Sequence, residues 1–171
     1  GPVRPSGNRN LDAFVGGVTD GRDGAAVLDY NRDGVKAKKS WFFLEGRIVC
    51  LGAGITAQTD SSVTTSINQC LLNGPVLAGH DNQTGTVSNA RQKYPSLQWA
   101  WHDGTGYVFP QPAGITLGCA EQKGSWADNV YKAGSPSPVA RDIFSIWIDH
   151  GANPRDASYA YEILHIKIKG H

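Results

Sequence analysis

The chain has 171 residues, and its 16 lysines and arginines against 15 aspartates and glutamates give a formal net charge of +1. This length accommodates one domain with a substantial core, or a portion of a larger domain, and excludes two ordinary domains. No stretch concentrates enough positive charge to bind a nucleic-acid backbone. No apolar run approaches the roughly 18 residues of a membrane span, so neither nucleic acid nor a membrane is an expected partner.

Short apolar runs between turn-forming residues predict strands along the whole chain. No window keeps a convincing helical period, and the 21 glycines and 9 prolines suit many brief strands joined by turns. We therefore expect strands over more than 40% of the residues and helix over less than about 10%, which is more strand and less helix than an average globular protein contains. The predicted strands cover residues 13–18, 25–30, 40–44, 48–51, 63–72, 97–101, 107–109, 115–119, 143–148 and 157–168.

Alternation within the runs and glycine between them predict an antiparallel β-sandwich. Phe144, Ile146 and Ile148 alternate onto one face of the run 143–148, and Ser145, Trp147 and the next residue, Asp149, onto the other. Strands this numerous usually form two packed sheets, because a single open sheet would leave an apolar face in water. Hairpin turns are predicted at three dipeptides in which glycine can take a positive φ: Asp33-Gly34, Glu45-Gly46 and Asp103-Gly104.

The predicted domain is the sandwich at residues 11–164. Residues 1–10 form an irregular lead-in without periodicity, and residues 165–171 form a tail. The sequence contains no methionine. We therefore interpret the chain as a portion of a longer protein.

No metal or cofactor site is predicted. Residues 29–34 match the first half of a calcium loop, but Ser40 stands where the twelfth-position carboxylate is needed, so a polar turn is the preferred interpretation. The five histidines lack the spacing of a zinc site. Each of the three cysteines lies in an apolar run, which favours buried free thiols over one disulfide and one thiol. The cysteines are Cys50, Cys70 and Cys119.

The five tryptophans are many for this length and indicate either a carbohydrate-binding surface or a core rich in aromatic residues. An indole face can stack on the apolar face of a sugar ring while neighbouring amides and acids bond the hydroxyl groups. Filling of the sandwich core is the simpler explanation for any single tryptophan. Trp99 and Trp101 lie two apart on one predicted strand, so they are expected to be buried together or exposed together.

Several strings in fixed order resemble the central domain of polysaccharide lyase family 8, whose members are hyaluronate, chondroitin AC and xanthan lyases. They are FVGGVTDG at 14–21, DYNRDGVKAKKSWFFLEGRIVCLGAGI at 29–55, VTTSINQCLLNGPV at 63–76, WAWHDGTGYVFP at 99–110, KGSW at 123–126, IWIDHGANP at 146–154 and YAYEIL at 159–164. The resemblance spans nearly the whole chain. It implies the later part of a β supersandwich, with the family's helical toroid absent from this chain.

The resemblance also implies β-elimination at a uronic acid in a secreted or periplasmic protein. In that reaction a tyrosine removes the C5 proton and protonates the leaving oxygen, while asparagine and histidine neutralise the carboxylate. Those groups belong to the toroid, so no residue of this chain is predicted to be catalytic. The expected partners are an anionic polysaccharide of the chondroitin or hyaluronan type and the toroid, and self-association is possible because half a sandwich leaves surfaces uncovered.

The supersandwich is expected to form one wall of the substrate cleft. By alternation Lys39 shares a face with Trp41, so an ammonium group would lie beside a ring that can stack on a sugar. The predicted substrate-binding residues are Trp41, Lys39, Asn68, Gln69 and His102. The alternative function, from a different class, is a free-standing carbohydrate-binding β-sandwich module.

Overall fold

The computed structural model describes residues 11, 14–80, 83–88, 91–125, 127 and 137–165. Eleven strands occupy 76% of these described residues, which contain no α-helix, so the all-β prediction is confirmed. The strands are β1 (Val15–Thr19), β2 (Gly24–Arg32), β3 (Val35–Leu44), β4 (Arg47–Ala57), β5 (Thr64–Leu71), β6 (Val76–His80), β7 (Gln83–Val87), β8 (Gln92–His102), β9 (Thr105–Ser125), β10 (Pro138–Asp149) and β11 (Ala157–His165).

The three predicted hairpin turns are present. Asp33 and Gly34 have φ values of 54° and 77°, and Asp103 and Gly104 have φ values of 46° and 77°. Positive φ at both central residues matches the right-handed twist of the flanking strands, and glycine and aspartate tolerate it well. Gly46, with φ of 76°, turns β3 into β4. The half-matched calcium loop therefore consists of the end of β2 and a hairpin turn.

All the strand pairs are antiparallel, and they form one sheet that branches at β9. The main path runs β1-β2-β3-β4-β11-β9-β8-β6-β7. β9 pairs with β11 only over Thr105–Val108, and its later residues Ile115–Ser125 pair with β10, which in turn pairs with β5. The branch of β5, β10 and the second half of β9 is the second layer of the sandwich.

Aromatic side chains join the two layers. The ring of Phe144 on β10 stacks on His102 of β8 with centroids 4.4 Å apart, and it lies 5.9 Å from the ring of Tyr107 on β9. Phe144 and Ile146 are completely buried and Ile148 is 5% exposed, while Trp147 is only half-buried. The predicted alternation on β10 is therefore confirmed.

The sequence pattern did not predict two of the observed strands, β6 and β7. It also predicted two separate strands where the structure has a single one. β6 and β7 pair with each other, and β7 escaped prediction because its sequence, QTGTV, lacks apolar alternation and is mostly exposed. The predicted strands at 107–109 and 115–119 both belong to the 21-residue β9. β11 ends at His165, and the predicted lead-in 1–10 and tail residues 166–171 lie outside the described residues.

The outer face of β1–β4, which points away from the core, exposes large apolar side chains. Phe14 is 63% exposed, Val18 73%, Phe42 37% and Leu51 37%. Larger exposed apolar patches mark interaction surfaces, so the predicted self-association has a physical basis here but stays a prediction. The described residues include no helix long and apolar enough to cross a membrane.

Two glycines allow an aromatic ring to lie directly on a neighbouring strand. A Cβ atom at Gly52 would lie 2.1 Å from the Tyr159 ring of its register partner on β11. A Cβ atom at Gly79 on β6 would lie equally close, at 2.1 Å, to the indole of its partner Trp99 on β8. At these positions even one methyl group would force the ring away from the strand.

We predict that Gly52→Ala lowers the free energy of unfolding by about 1–3 kcal/mol, the usual cost of forcing an extra carbon into a packed site. Gly124→Ala is the matched control, because no atom lies within 4 Å of a Cβ atom added there. Chemical denaturation followed by circular dichroism measures both variants. Equal effects of the two substitutions would contradict the close approach of Tyr159 to β4.

Candidate functional site

Trp41 lies on the core-facing side of β3. Its register partners are Ala26 on β2 and the buried Cys50 on β4. The indole is half-buried and packs against the edge of the hydrophobic core. Trp41 therefore supports the fold and also keeps part of its surface in contact with solvent, which a sugar-stacking role requires.

Lys39 lies on the same side of β3 as Trp41, as alternation predicts. Its Nζ atom is 5.2 Å from the centroid of the Tyr30 ring, within the range of a cation–π contact. Desolvation by burial lowers the pKa of Lys39. The side chain lines a cavity of about 310 Å³ together with hydroxyl groups that include Thr59, Ser61 and Thr65. An ammonium beside several hydroxyl donors is suited to a carboxylate or sulfate group.

Asn68 and Gln69 point to opposite sides of β5, because consecutive strand residues alternate. The amide nitrogen of Asn68 donates to the Tyr107 hydroxyl at 2.5 Å, between the two layers. The amide nitrogen of Gln69 donates to Oε1 of Gln122 at 3.1 Å, on the exposed side. The two residues that the sequence analysis grouped therefore belong to different environments.

His102 is only 2% exposed, and the structure engages both of its ring nitrogens. Nε2 accepts a hydrogen bond from the backbone N–H of Asn73 at 3.1 Å, which leaves the proton on Nδ1, 3.7 Å from the Cys70 sulfur. Desolvation lowers the pKa of His102, although nearby Asp103 opposes the shift. This environment favours a neutral structural histidine, and substrate binding by His102 stays a prediction without support from the geometry.

Burial keeps the core tyrosines protonated. It raises the pKa of Tyr159 to about 12 and raises the pKa values of Tyr107 and Tyr161 as well. A general base needs a pKa close to the working pH and a proton within reach. Tyr107 and Tyr161 are buried in the core and Tyr159 packs against it partly buried, so the raised pKa values of these three phenols do not suit them to act as a general base.

The three cysteines are free thiols, as the sequence analysis preferred, but only Cys50 is fully buried, and Cys70 and Cys119 are partly buried. Desolvation by burial is the largest cause that raises the pKa of each of them: Cys50, Cys70 and Cys119. Among the described residues, no three histidine, cysteine, aspartate or glutamate side chains cluster closely enough to bind a metal ion.

The sequence analysis missed two side-chain contacts that could contribute to ligand binding. The Arg91 guanidinium lies 5.1 Å from the centroid of the Trp147 ring on the exposed side of β10. Oγ1 of Thr65 lies 2.8 Å from Nε2 of His150. Alternation along β10 already placed Trp147 opposite the core residues, but no sequence signal brings Arg91 beside it.

We predict that stability falls as the pH drops from 7.5 to 5.5, and that His102 contributes to this fall. The pKa of His102 is lowered in the folded state, so the unfolded chain, with a histidine pKa of about 6.5, binds the proton first. The stabilisation by neutral His102 is thus complete above about pH 6.5 and is lost as the pH falls towards the lower folded pKa. His102→Gln keeps an acceptor for the Asn73 N–H and removes the titration.

Melting temperatures at the two pH values, measured for both proteins, test this prediction. The difference between the two pH values should be smaller in His102→Gln than in the unsubstituted chain, whatever the absolute cost of the substitution. The exposed His165 at the end of β11 provides the control His165→Gln, which should keep the full difference. An undiminished difference in His102→Gln would contradict the burial argument.

Comparison with known proteins places this fold and these residues in one family. The profile described as polysaccharide lyase family 8, super-sandwich domain, matches residues 3–166. The chain is 40% identical to chondroitinase-AC of Pedobacter heparinus over 92% of its length, and 32% identical to a hyaluronate lyase of Thermasporomyces composti over 90%. It spans only 22% and 20% of those two proteins.

A solved structure agrees with the sequence comparison. A chondroitinase AC lyase, studied as oligosaccharide complexes, superimposes with a TM-score of 0.84 and 39% identity. The superposition covers 91% of this chain and 23% of that enzyme. The chain therefore belongs to polysaccharide lyase family 8 and corresponds to its super-sandwich domain.

Proposed function

We propose that this chain is the β-sandwich portion of a lyase that cleaves uronic-acid-containing polysaccharides by β-elimination, and that it forms one wall of the substrate cleft. The observation that carries the proposal is the 40% identity to chondroitinase-AC over 92% of the chain. The chain spans about a fifth of that relative, so the activity belongs to a longer polypeptide.

The state of the core tyrosines supports a non-catalytic role for this portion. β-Elimination begins with removal of the C5 proton of the uronic acid, and it needs a base at the cleft surface. Tyr107 and Tyr161 are buried in the core, Tyr159 packs against it partly buried, and the pKa values of all three are raised. In this proposal the base and the carboxylate-neutralising groups come from the family's helical toroid, which partners this domain.

The Lys39 and Trp41 face supports a role in substrate binding. The half-buried indole of Trp41 can stack on a sugar ring, and the Lys39 ammonium can bond a uronate or sulfate group beside it. Stacking alone does not select for charge, and a single surface charge is screened by salt, so an acidic polysaccharide needs both. We place this binding outside the cytoplasm, in a secreted or periplasmic protein, because its polymeric substrate is too large to cross a membrane unaided.

The first test compares the 171-residue chain with the full-length polypeptide that contains it. We expect the full-length protein to form unsaturated uronate from chondroitin or hyaluronan, and the purified chain alone to form none. Ultraviolet absorbance of the new double bond follows the reaction. Product formed by the chain alone would overturn the non-catalytic assignment, and an inactive full-length protein would favour the alternative of a carbohydrate-binding module.

The second test is Trp41→Ala in the full-length protein. We expect KM to rise more than kcat falls, because stacking remote from the C5 proton binds ground state and transition state about equally. Stability should also decrease, by about 1–3 kcal/mol, since the indole packs against the core. Steady-state kinetics and melting temperature are measured on the same preparation.

Phe42→Ala is the control for this loss of stability. Phe42 is the next residue on β3 and lies on the opposite face of the strand, 37% exposed. The Phe42→Ala substitution removes a similar apolar group and leaves the Trp41 face intact, so KM should stay unchanged. A normal KM in Trp41→Ala with a lowered melting temperature would assign Trp41 to the core alone.

A further inference from the structure

The exposed face of the second layer contains a polar groove that neither Lys39 nor Trp41 lines, although the predicted substrate-binding residues Asn68 and Gln69 do. The groove has a volume of about 470 Å³ and lies over β5, β10 and the second half of β9. Its lining includes Ser66, Gln69, Arg91, Gln122, Ser145 and Trp147. Gln69 and Ser145 are register partners, and the pairing of β5 with β10 shifts its register between Ile146 and Trp147, within the floor of the groove.

Trp147 and Arg91 form the most distinctive pair in this groove. The indole is half-buried on the outer side of β10, and the Arg91 guanidinium lies 5.1 Å from its centroid. The ring holds the cation by its quadrupole, which orients the remaining N–H donors of the guanidinium. Among the described residues Arg91 forms no ion pair. A planar guanidinium without an ion-pair partner matches a carboxylate or a sulfate group in geometry and in charge.

Amides and hydroxyls complete the lining with groups that bond sugar hydroxyls. The hydrogen bond from Gln69 to Gln122 uses one amide N–H and one amide oxygen. The oxygen of Gln69 and the amide nitrogen of Gln122 are left as an acceptor and a donor. The hydroxyls of Ser66 and Ser145 can act as either. An aromatic ring beside neutral donors and acceptors is the usual composition of a site for sugars.

The one carboxylate in the groove is already compensated. Asp149 accepts hydrogen bonds from the Ser62 hydroxyl and from the backbone N–H of Gly151, and the Lys93 ammonium lies 3.9 Å from it. These contacts satisfy its charge at the end of β10. The guanidinium of Arg91 therefore remains the charge that selects a ligand.

We propose that this groove is a second carbohydrate site, which binds a pyranose unit of an acidic polysaccharide on the outer face of the second layer. Arg91 bonds a carboxylate or sulfate group, Trp147 packs against the sugar ring, and Gln69, Gln122 and Ser145 bond hydroxyls. The acidic character of the ligand rests on the proposed function, whereas the site itself rests on the groove. Such a site would hold a flanking stretch of the polymer that is remote from the bond being cleaved.

The test is calorimetric titration of the purified 171-residue chain with a size-fractionated chondroitin sulfate oligosaccharide. We expect Arg91→Gln to weaken binding about tenfold, in line with the loss of a charged hydrogen bond, and to reduce its salt dependence. Trp147→Ala should weaken binding to a similar degree. Circular dichroism of each variant confirms that it is folded, and Arg91→Gln keeps the test valid if Trp147→Ala does not fold.

Arg47→Gln is the matched control, because Arg47 is an exposed arginine on β4 that pairs with Glu162 on the neighbouring strand β11, outside the groove. It should bind the oligosaccharide as the unsubstituted chain does. Unchanged affinity in Arg91→Gln, equal affinity for a neutral glucan oligosaccharide, or no binding at all would overturn the proposal. Failure of the full-length protein to form unsaturated uronate would overturn the proposed function instead, so the two failures are distinguishable.

Discussion

The whole arrangement depends on one strand that must satisfy two different partners along the same edge. β9 pairs with β11 at its beginning and with β10 over its second half, while β8 follows its other edge. A strand offers one row of N–H and C=O groups on each edge, so β9 has to leave the first layer in order to pair with the second. The inward side chains of both halves, from Tyr107 to Leu117, consequently meet in one core.

Polar contacts between the layers fix their relative position more specifically than apolar packing does. Asn68 on β5 bonds Tyr107 on β9, and the backbone of Asn73 after β5 bonds His102 on β8. A buried polar group is costly unless it finds its partner, so these bonds form only in one register of the layers. The same requirement explains why residues that look like surface ligands in the sequence are used inside the sandwich.

The sequence allowed good prediction of the features that depend on strong local patterns. The hairpin turns at Asp33-Gly34 and Asp103-Gly104 and the alternation around Phe144 are local patterns, and each was confirmed. The same alternation already implies that Asn68 and Gln69 face opposite ways, although the prediction grouped them. Contacts between distant segments were not accessible, since nothing near Arg91 or Trp147 in the sequence indicates that the two meet. The burial of His102 likewise depends on β10 packing over it.

The surroundings of the three cysteines have a consequence for the chemistry of this chain in an oxidising environment. The thiolate is the species that attacks disulfides and is oxidised, and burial raises the pKa of each thiol here. An exposed thiol with an ordinary pKa would be open to oxidation and to disulfide exchange. In the folded sandwich, burial therefore lowers the thiolate population of all three cysteines and slows their oxidation and disulfide exchange.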